Sequence, residues 1–125
     1  FATAKDLAIY GQMLLNRGEY AGVQYFKPET IDLFTSSQSK VSRRGLGFDR
    51  YDPSSASGYP SKLANKTVYG HTGYTGTCIW VDPQNQLVYI FLSNRVHPQV
   101  STKLLNLNIR SRIQDVIYQT INQAK

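Results

Sequence analysis

The stretch of the sequence best suited to chemistry is Tyr69-Gly70-His71-Thr72-Gly73-Tyr74-Thr75-Gly76-Thr77. It combines an imidazole and several hydroxyls with three glycines that recur every third residue. Glycines at this spacing permit a tight turn or the close approach of a ligand to the backbone. The stretch lacks the Gly-Lys-Ser/Thr ending of a phosphate-binding loop and opens no predicted helix, so it fits nucleotide binding poorly. By spacing alone, it predicts a glycine-rich turn that enters a β-hairpin.

The elements that must position this stretch begin with two predicted helices. Apolar residues at helical spacing predict a helix over 3–17, with Thr3 and Asp6 able to cap its first turn. A shorter helix is predicted from Pro28 to about Ser36, because proline suits the first helical turn. The two helices would form the N-terminal part of the fold.

Extended segments follow the helices or join them. Tyr20 to Phe26 predict a short irregular or extended link, and the loop over 36–66 contains a possible strand at Leu46 to Tyr51. Two apolar, β-branched runs, Thr77 to Val81 and Leu87 to Leu92, predict a hairpin, because the five residues between them favour a turn.

A last helix is predicted from about Asn108 to Asn122. Its predicted apolar face contains Ile109, Ile113, Val116, Ile117 and Ile121. Together these elements predict an α+β fold, in which antiparallel strands are packed by N-terminal and C-terminal helices. We expect the helical part and loop to occupy 1–66, and the sheet hairpin and final helix to occupy 67–125.

Composition excludes few functions. The 14 Lys and Arg residues against eight Asp and Glu give a net charge of +6, which favours anionic partners without selecting one. No block of like charges suggests a nucleic-acid-binding tail, so no nucleic-acid partner is expected. One cysteine, Cys78, cannot form an internal disulfide, and no apolar run approaches the roughly 20 residues of a membrane span. No cofactor and no metal ion is expected.

An ordered series of short motifs runs along nearly the whole chain. In order, these motifs are Thr3-Ala4-Lys5-Asp6-Leu7-Ala8, Lys27-Pro28-Glu29-Thr30, Gly45-Leu46-Gly47-Phe48, Gly70-His71-Thr72-Gly73, Trp80-Val81-Asp82-Pro83 and Leu92-Ser93-Asn94-Arg95. The series resembles the C-terminal part of the serine β-lactamase and penicillin-binding-protein superfamily, and its class C-like and esterase-like branch most of all. The resemblance implies a partial β-lactamase/transpeptidase-like fold and a serine acyl hydrolase as the parent protein.

The resemblance also implies roles for individual residues. His71-Thr72-Gly73 matches the family motif Lys-Thr-Gly or His-Thr-Gly on the strand that borders the active site. His71 would present a positive or hydrogen-bonding group near the reacting carbonyl, Thr72 would offer its hydroxyl to a substrate carboxylate, and Gly73 would keep the wall clear. The backbone N–H of Tyr74 would form half of the oxyanion hole, and Arg95 would lie near the substrate's carboxylate end. For Arg95, a solvated surface cation is an equally good interpretation.

Two other motifs of the family are not matched. No Tyr in the sequence is followed two residues later by Asn, and Ser-x-x-Lys occurs once, as Ser37-Gln38-Ser39-Lys40. That tetrapeptide follows the second predicted helix in a polar loop, whereas a nucleophile needs a desolvated lysine beside its serine. We therefore interpret Ser37 as a coincidence of composition, and we expect the nucleophile to lie outside this chain.

These observations leave two main hypotheses. The first is that the chain is the C-terminal portion of a serine acyl hydrolase, a β-lactamase-like protein, esterase or D-amino-acid peptidase that works through an acyl-enzyme. Alone it would be inactive. The second is a non-catalytic member of the same fold that binds cell-wall peptides or a partner. The resemblance implies an extracytoplasmic or periplasmic location, a substrate carrying a carboxylate, and a missing N-terminal part whose absence would let the chain self-associate.

Overall fold

A computed structural model of the chain describes residues 2–52, 54 and 60–124. Along these residues the helices are α1 (Ala4–Leu15), α2 (Pro28–Thr35), α3 (Lys103–Asn106) and α4 (Ile109–Gln123). The strands are β1 (Glu19–Tyr20), β2 (Val23–Gln24), β3 (Asp49–Arg50), β4 (Tyr69–Thr72), β5 (Cys78–Asp82) and β6 (Leu87–Phe91). Helices and antiparallel strands confirm the predicted α+β class, while part of the loop predicted over 36–66 lies outside the described residues.

Helix α1 begins where the sequence predicts, because Thr3 and Asp6 cap it reciprocally. The Asp6 amide donates to the Thr3 hydroxyl at 3.2 Å, and the Thr3 amide donates to the Asp6 carboxylate at 3.0 Å. The two bonds satisfy amides that have no partner within the helix. The helix ends at Leu15, slightly earlier than predicted, because Arg17 and Gly18 adopt left-handed φ angles of 54° and 98°.

The segment predicted as a link between α1 and α2 is more regular than expected. Strands β1 and β2 form a small antiparallel hairpin in which Tyr20 lies opposite Val23. Its two turn residues, Ala21 and Gly22, have φ angles of 52° and 79°. Turns with two positive φ angles match the twist of paired strands. Alanine seldom adopts this conformation, so the sequence signal for the turn was weak.

The larger sheet has the strand order β3-β4-β5-β6, and each neighbouring pair is antiparallel. Strands β5 and β6 form the predicted hairpin. Strand β3 is shorter than the strand predicted from Leu46 to Tyr51, because the backbone bends before Asp49. Gly47 has a φ angle of 89°, and the Gly45 amide donates across the bend to the Phe48 carbonyl at 2.9 Å.

The sheet lies between two helices, and the alternation of side chains along β5 divides the core in two. Cys78 and Trp80 pack on one face with Tyr118 of α4. Val81 points to the opposite face and packs with Met13 of α1. Because successive strand residues face opposite sides, each helix covers one side of the same strand. The same sheet contains β4, whose residues begin the glycine-rich stretch.

The predicted apolar face of α4 is only partly used, which corrects the prediction. Val116 is 61% exposed, while the buried residues of the helix are Gln114 and Tyr118. The reason lies in Asp82, a buried carboxylate that accepts a hydrogen bond from the Tyr118 hydroxyl at 2.7 Å. Since a buried charge needs donors, the helix turns this tyrosine inward. Ile117 packs beside it as predicted.

Candidate active site

An open cleft of about 690 Å³ runs beside the end of β4. His71, Thr72 and Gly73 line one side of it, and Leu92 and Ser93 from the chain after β6 line another. Most of the exposed lining is apolar, with a few hydroxyl, amide and imidazole groups. A mostly apolar cleft with a small number of polar groups is the usual form of a ligand site.

The end of β4 turns back into β5 through residues 73–76. The Gly73 amide donates to the Thr77 carbonyl at 2.8 Å, and the Gly76 amide donates to the Gly73 carbonyl at 3.0 Å. Gly76 has a φ angle of 100°, which favours glycine. Among the described residues, none accepts a hydrogen bond from the Tyr74 amide. The turn therefore carries a backbone donor that has no acceptor in the described part of the chain, between the cleft-lining residues Gly73 and Thr75.

Arg95 braces the outer side of this turn. Its Nε donates to the Tyr74 carbonyl at 2.7 Å, and its amide donates to the Thr75 carbonyl at 2.9 Å. The guanidinium carbon lies 4.6 Å from the centre of the Tyr74 ring, and Nη1 donates to the Ser101 carbonyl at 3.2 Å. Arg95 lines a shallower groove on this side of the turn. The structure therefore gives Arg95 a bracing role, and its contact with a substrate carboxylate stays a prediction.

The imidazole of His71 has a partner at each nitrogen. Nδ1 lies 2.7 Å from the carbonyl oxygen of Thr72, and Nε2 lies 3.0 Å from Nη1 of Arg44. Arg44 in turn pairs with the buried carboxylate of Asp49, with Nε 3.2 Å from Oδ1. Sequence reasoning missed Arg44, because its contact with His71 arises only from the pairing of β3 with β4.

The residues of the Ser-x-x-Lys tetrapeptide are not among those that line the cleft. Ser37 is exposed, it follows the end of α2, and its hydroxyl donates to the Ser39 carbonyl at 3.3 Å. Lys40 is also exposed. An exposed lysine lacks the desolvation that activates a lysine beside a nucleophilic serine.

Two further findings bear on the class of site. In the part of the chain that the structure describes, no cluster of three or more His, Cys, Asp or Glu side chains could hold a metal ion. Within the same residues, none of the helices combines the length and the apolar character that a membrane span needs.

Comparison with known proteins identifies the family. A family model described as Beta-lactamase matches residues 1–114. A protein of Escherichia coli K12, provisionally named D-alanyl-D-alanine carboxypeptidase, is 36% identical over 109 residues. A protein of Salmonella newport with the same provisional name is 34% identical over 109 residues. These matches cover 87% of this chain and 25% of each relative, so the chain spans about a quarter of the length of these relatives.

Solved structures share the fold. A penicillin-binding-protein homologue from Caulobacter crescentus superposes with a TM-score of 0.58 at 24% identity, covering 74% of this chain and 26% of the other. A protein from Bacteroides dorei, provisionally named a β-lactamase, gives 0.53 at 14% identity, covering 86% and 39%. At these identities the likeness supports the fold alone. With the family model matched over residues 1–114, the chain belongs to the β-lactamase family of the serine β-lactamase and penicillin-binding-protein superfamily.

Proposed function

We propose that this chain supplies the oxyanion-binding wall of a serine acyl hydrolase whose nucleophile comes from residues outside it. The observation that carries the proposal is the Tyr74 amide, which has no acceptor among the described residues and lies beside the cleft at Gly73. When a serine hydroxyl attacks a substrate carbonyl, negative charge develops on the carbonyl oxygen. A rigid backbone N–H aimed at that oxygen stabilises the transition state by about 3 kcal/mol.

The residues around Tyr74 suit this role. Gly73 leaves its side of the cleft clear, and a Cβ there would lie 2.3 Å from the Thr77 hydroxyl oxygen. His71 lines the same wall, and its ring is held in place by contacts at both nitrogens. Thr72 is half-buried beside it and would present its hydroxyl to the substrate.

For the substrate, we propose a peptide or related amide or ester that carries a carboxylate. The Escherichia coli relative is provisionally named a D-alanyl-D-alanine carboxypeptidase, and a substrate of that kind ends in a carboxylate. The net charge of +6 would favour an anionic ligand. A cell-wall peptide as substrate would require an extracytoplasmic location, which we include in the proposal.

The nucleophile is the main element that this chain does not provide. The chain spans about a quarter of the relatives' length, and Ser37 is exposed and does not line the cleft. We therefore expect the remaining part of the protein to bring a serine with its activating lysine to the open side of the cleft. That part is also the first partner we expect for this chain.

Covalent labelling tests the proposal. A full-length protein containing this chain should react with a fluorescent penicillin or a fluorophosphonate, whereas the 125-residue chain should not react. Labelling of the isolated chain at Ser37 would refute the assignment of the nucleophile. If neither protein reacts but the full-length protein retains cell-wall peptides, the non-catalytic hypothesis is the better one.

A matched pair of variants tests the oxyanion role. In the full-length protein, Tyr74→Pro removes the backbone donor, while Tyr74→Ala removes the side chain and keeps the amide. Tyr74→Pro should slow acylation by about two to three orders of magnitude. Tyr74→Ala should retain most of the rate. Equal acylation rates in two variants that fold alike would contradict the proposal.

A further inference from the structure

We propose that Arg44 is a positioning residue that sets the tautomer of the His71 imidazole, with the proton on Nδ1. A guanidinium has only donors and stays protonated in proteins. Its Nη1 lies 3.0 Å from Nε2 of His71, so Nε2 must accept a hydrogen bond and cannot carry a proton. On the other side, Nδ1 lies 2.7 Å from the Thr72 carbonyl oxygen, which can only accept. Both contacts therefore require the same tautomer.

The guanidinium of Arg44 forms an ion pair with Asp49. The Asp49 side chain is buried, and its Oδ1 lies 3.2 Å from Nε of Arg44 and 3.5 Å from Nε of Arg43. Asp49 lies opposite Gly70 in the pairing of β3 with β4, one residue before His71. A buried carboxylate on the neighbouring strand thus orients the arginine, and the arginine orients the imidazole. Such an outer contact sets which ring nitrogen of a histidine carries the proton.

The consequence for chemistry rests on the proposed function. With Nε2 accepting from Arg44 and Nδ1 donating to Thr72, neither ring nitrogen has a free proton to give to a substrate. His71 would then hold the Arg44 guanidinium and the Thr72 carbonyl in place through its two ring nitrogens. The positive charge at this wall would belong to Arg44. Proton transfer would have to come from the part of the protein that brings the nucleophile.

Nitrogen NMR of the 125-residue chain with labelled histidine tests the inference directly. The chain has two histidines, so the His97→Asn variant assigns the spectrum. At about pH 8, where an ordinary imidazole is neutral, His71 should show a protonated Nδ1 and an unprotonated Nε2. His97, which is exposed, should keep the opposite preference of a free histidine and serves as the internal reference.

Two arginine variants separate a specific contact from a general charge effect. Arg44→Ala should return His71 to the preference shown by His97. Arg43→Ala is the matched control, because Arg43 is the neighbouring arginine that also pairs with Asp49; it should leave the His71 signals unchanged. Because the Arg44 side chain is half-exposed, the Arg44→Ala variant should fold. Asp49→Asn, which weakens the ion pair with the guanidinium, should shift the tautomer in the same direction.

Three results would overturn the inference. These are a proton on Nε2 of His71 in the unmodified chain, an Arg44→Ala spectrum identical to it, or an equal effect of Arg43→Ala. The measurement needs no catalytic activity. Its failure would leave the oxyanion proposal standing, and a failure of the Tyr74→Pro test would leave the tautomer assignment standing.

Discussion

Gly70 is the residue whose replacement best tests how the sheet positions the candidate site. A Cβ built on Gly70 would lie 2.0 Å from the Ile79 carbonyl oxygen and 2.9 Å from the Trp80 Cα. Both are backbone atoms of β5, so no side-chain rotation can relieve the contact. The Gly70→Ala variant should therefore push β4 away from β5 at the residue before His71.

The size of the effect follows from two opposing contributions. In an open strand, alanine is more stable than glycine by roughly 0.5–1 kcal/mol. Overpacking a well-packed core costs about 1–3 kcal/mol, and a clash with backbone lies at the upper end of that range. We expect Gly70→Ala to lower the free energy of unfolding by about 2–3 kcal/mol, a large share of the ~5–15 kcal/mol available to a small domain.

Urea denaturation followed by tryptophan fluorescence measures this loss. Trp80 is the only tryptophan in the sequence, and it lies against Gly70, so its native emission should also change. Gly22→Ala is the control, because a Cβ there would meet nothing within 4 Å and only the φ angle of 79° opposes it. The control should lose about 1 kcal/mol without altering the emission of Trp80. A Gly70→Ala protein as stable as the unmodified chain would refute the reasoning.

Two further predictions concern Asp82, the buried carboxylate at the end of β5, and the outer edge of the sheet. Burial would raise the pKa of Asp82, but hydrogen bonds from Asn85, Asn65 and Tyr118 outweigh it and hold the pKa below its ordinary value. The ionised Asp82 carboxylate therefore stabilises the fold above about pH 5, and this stabilisation is lost as the pH falls through the lowered pKa. Tyr118→Phe should lower the free energy of unfolding by about 2 kcal/mol near neutral pH and by less in acid, measured from urea denaturation at a series of pH values. Tyr89→Phe is the control: it loses a hydrogen bond to the neutral Arg110 carbonyl, so its loss of stability should be smaller and independent of pH. Because no strand within the described residues pairs with the outer edge of β6, the isolated chain should self-associate, and a monomer at all concentrations in light scattering would contradict this.

The main elements of the fold could be predicted because their signals are local. Reciprocal capping by Thr3 and Asp6 marks the start of α1, and two apolar runs around a turn mark the β5–β6 hairpin. The inward face of α4 could not be predicted from apolar spacing. It depends on Asp82, which is distant in sequence and recruits Tyr118 as a hydrogen-bond donor.

Some residues of the candidate site could likewise be predicted from the sequence, and others could not. The residues that line the cleft are adjacent in sequence and share a motif, so His71, Thr72 and Gly73 could be singled out together. Arg44 could not, because its contact with His71 depends on the pairing of β3 with β4, which are far apart in the sequence. The bracing role of Arg95 was equally hidden, since it requires the turn at Tyr74 to fold against the chain that follows β6.

The pairing of His71 with Arg44 bears on why this chain has His-Thr-Gly where the family resemblance also allows Lys-Thr-Gly. A lysine at this position would bring its own positive charge to the wall and would face the Arg44 guanidinium with a like charge. A neutral imidazole avoids that repulsion, because it accepts a hydrogen bond from the guanidinium while the charge stays on the arginine. The buried Asp49 balances this charge and fixes its place. The nature of residue 71 and the presence of an arginine at position 44 are therefore physically linked, and a change at one position alters what the other can contribute to the site.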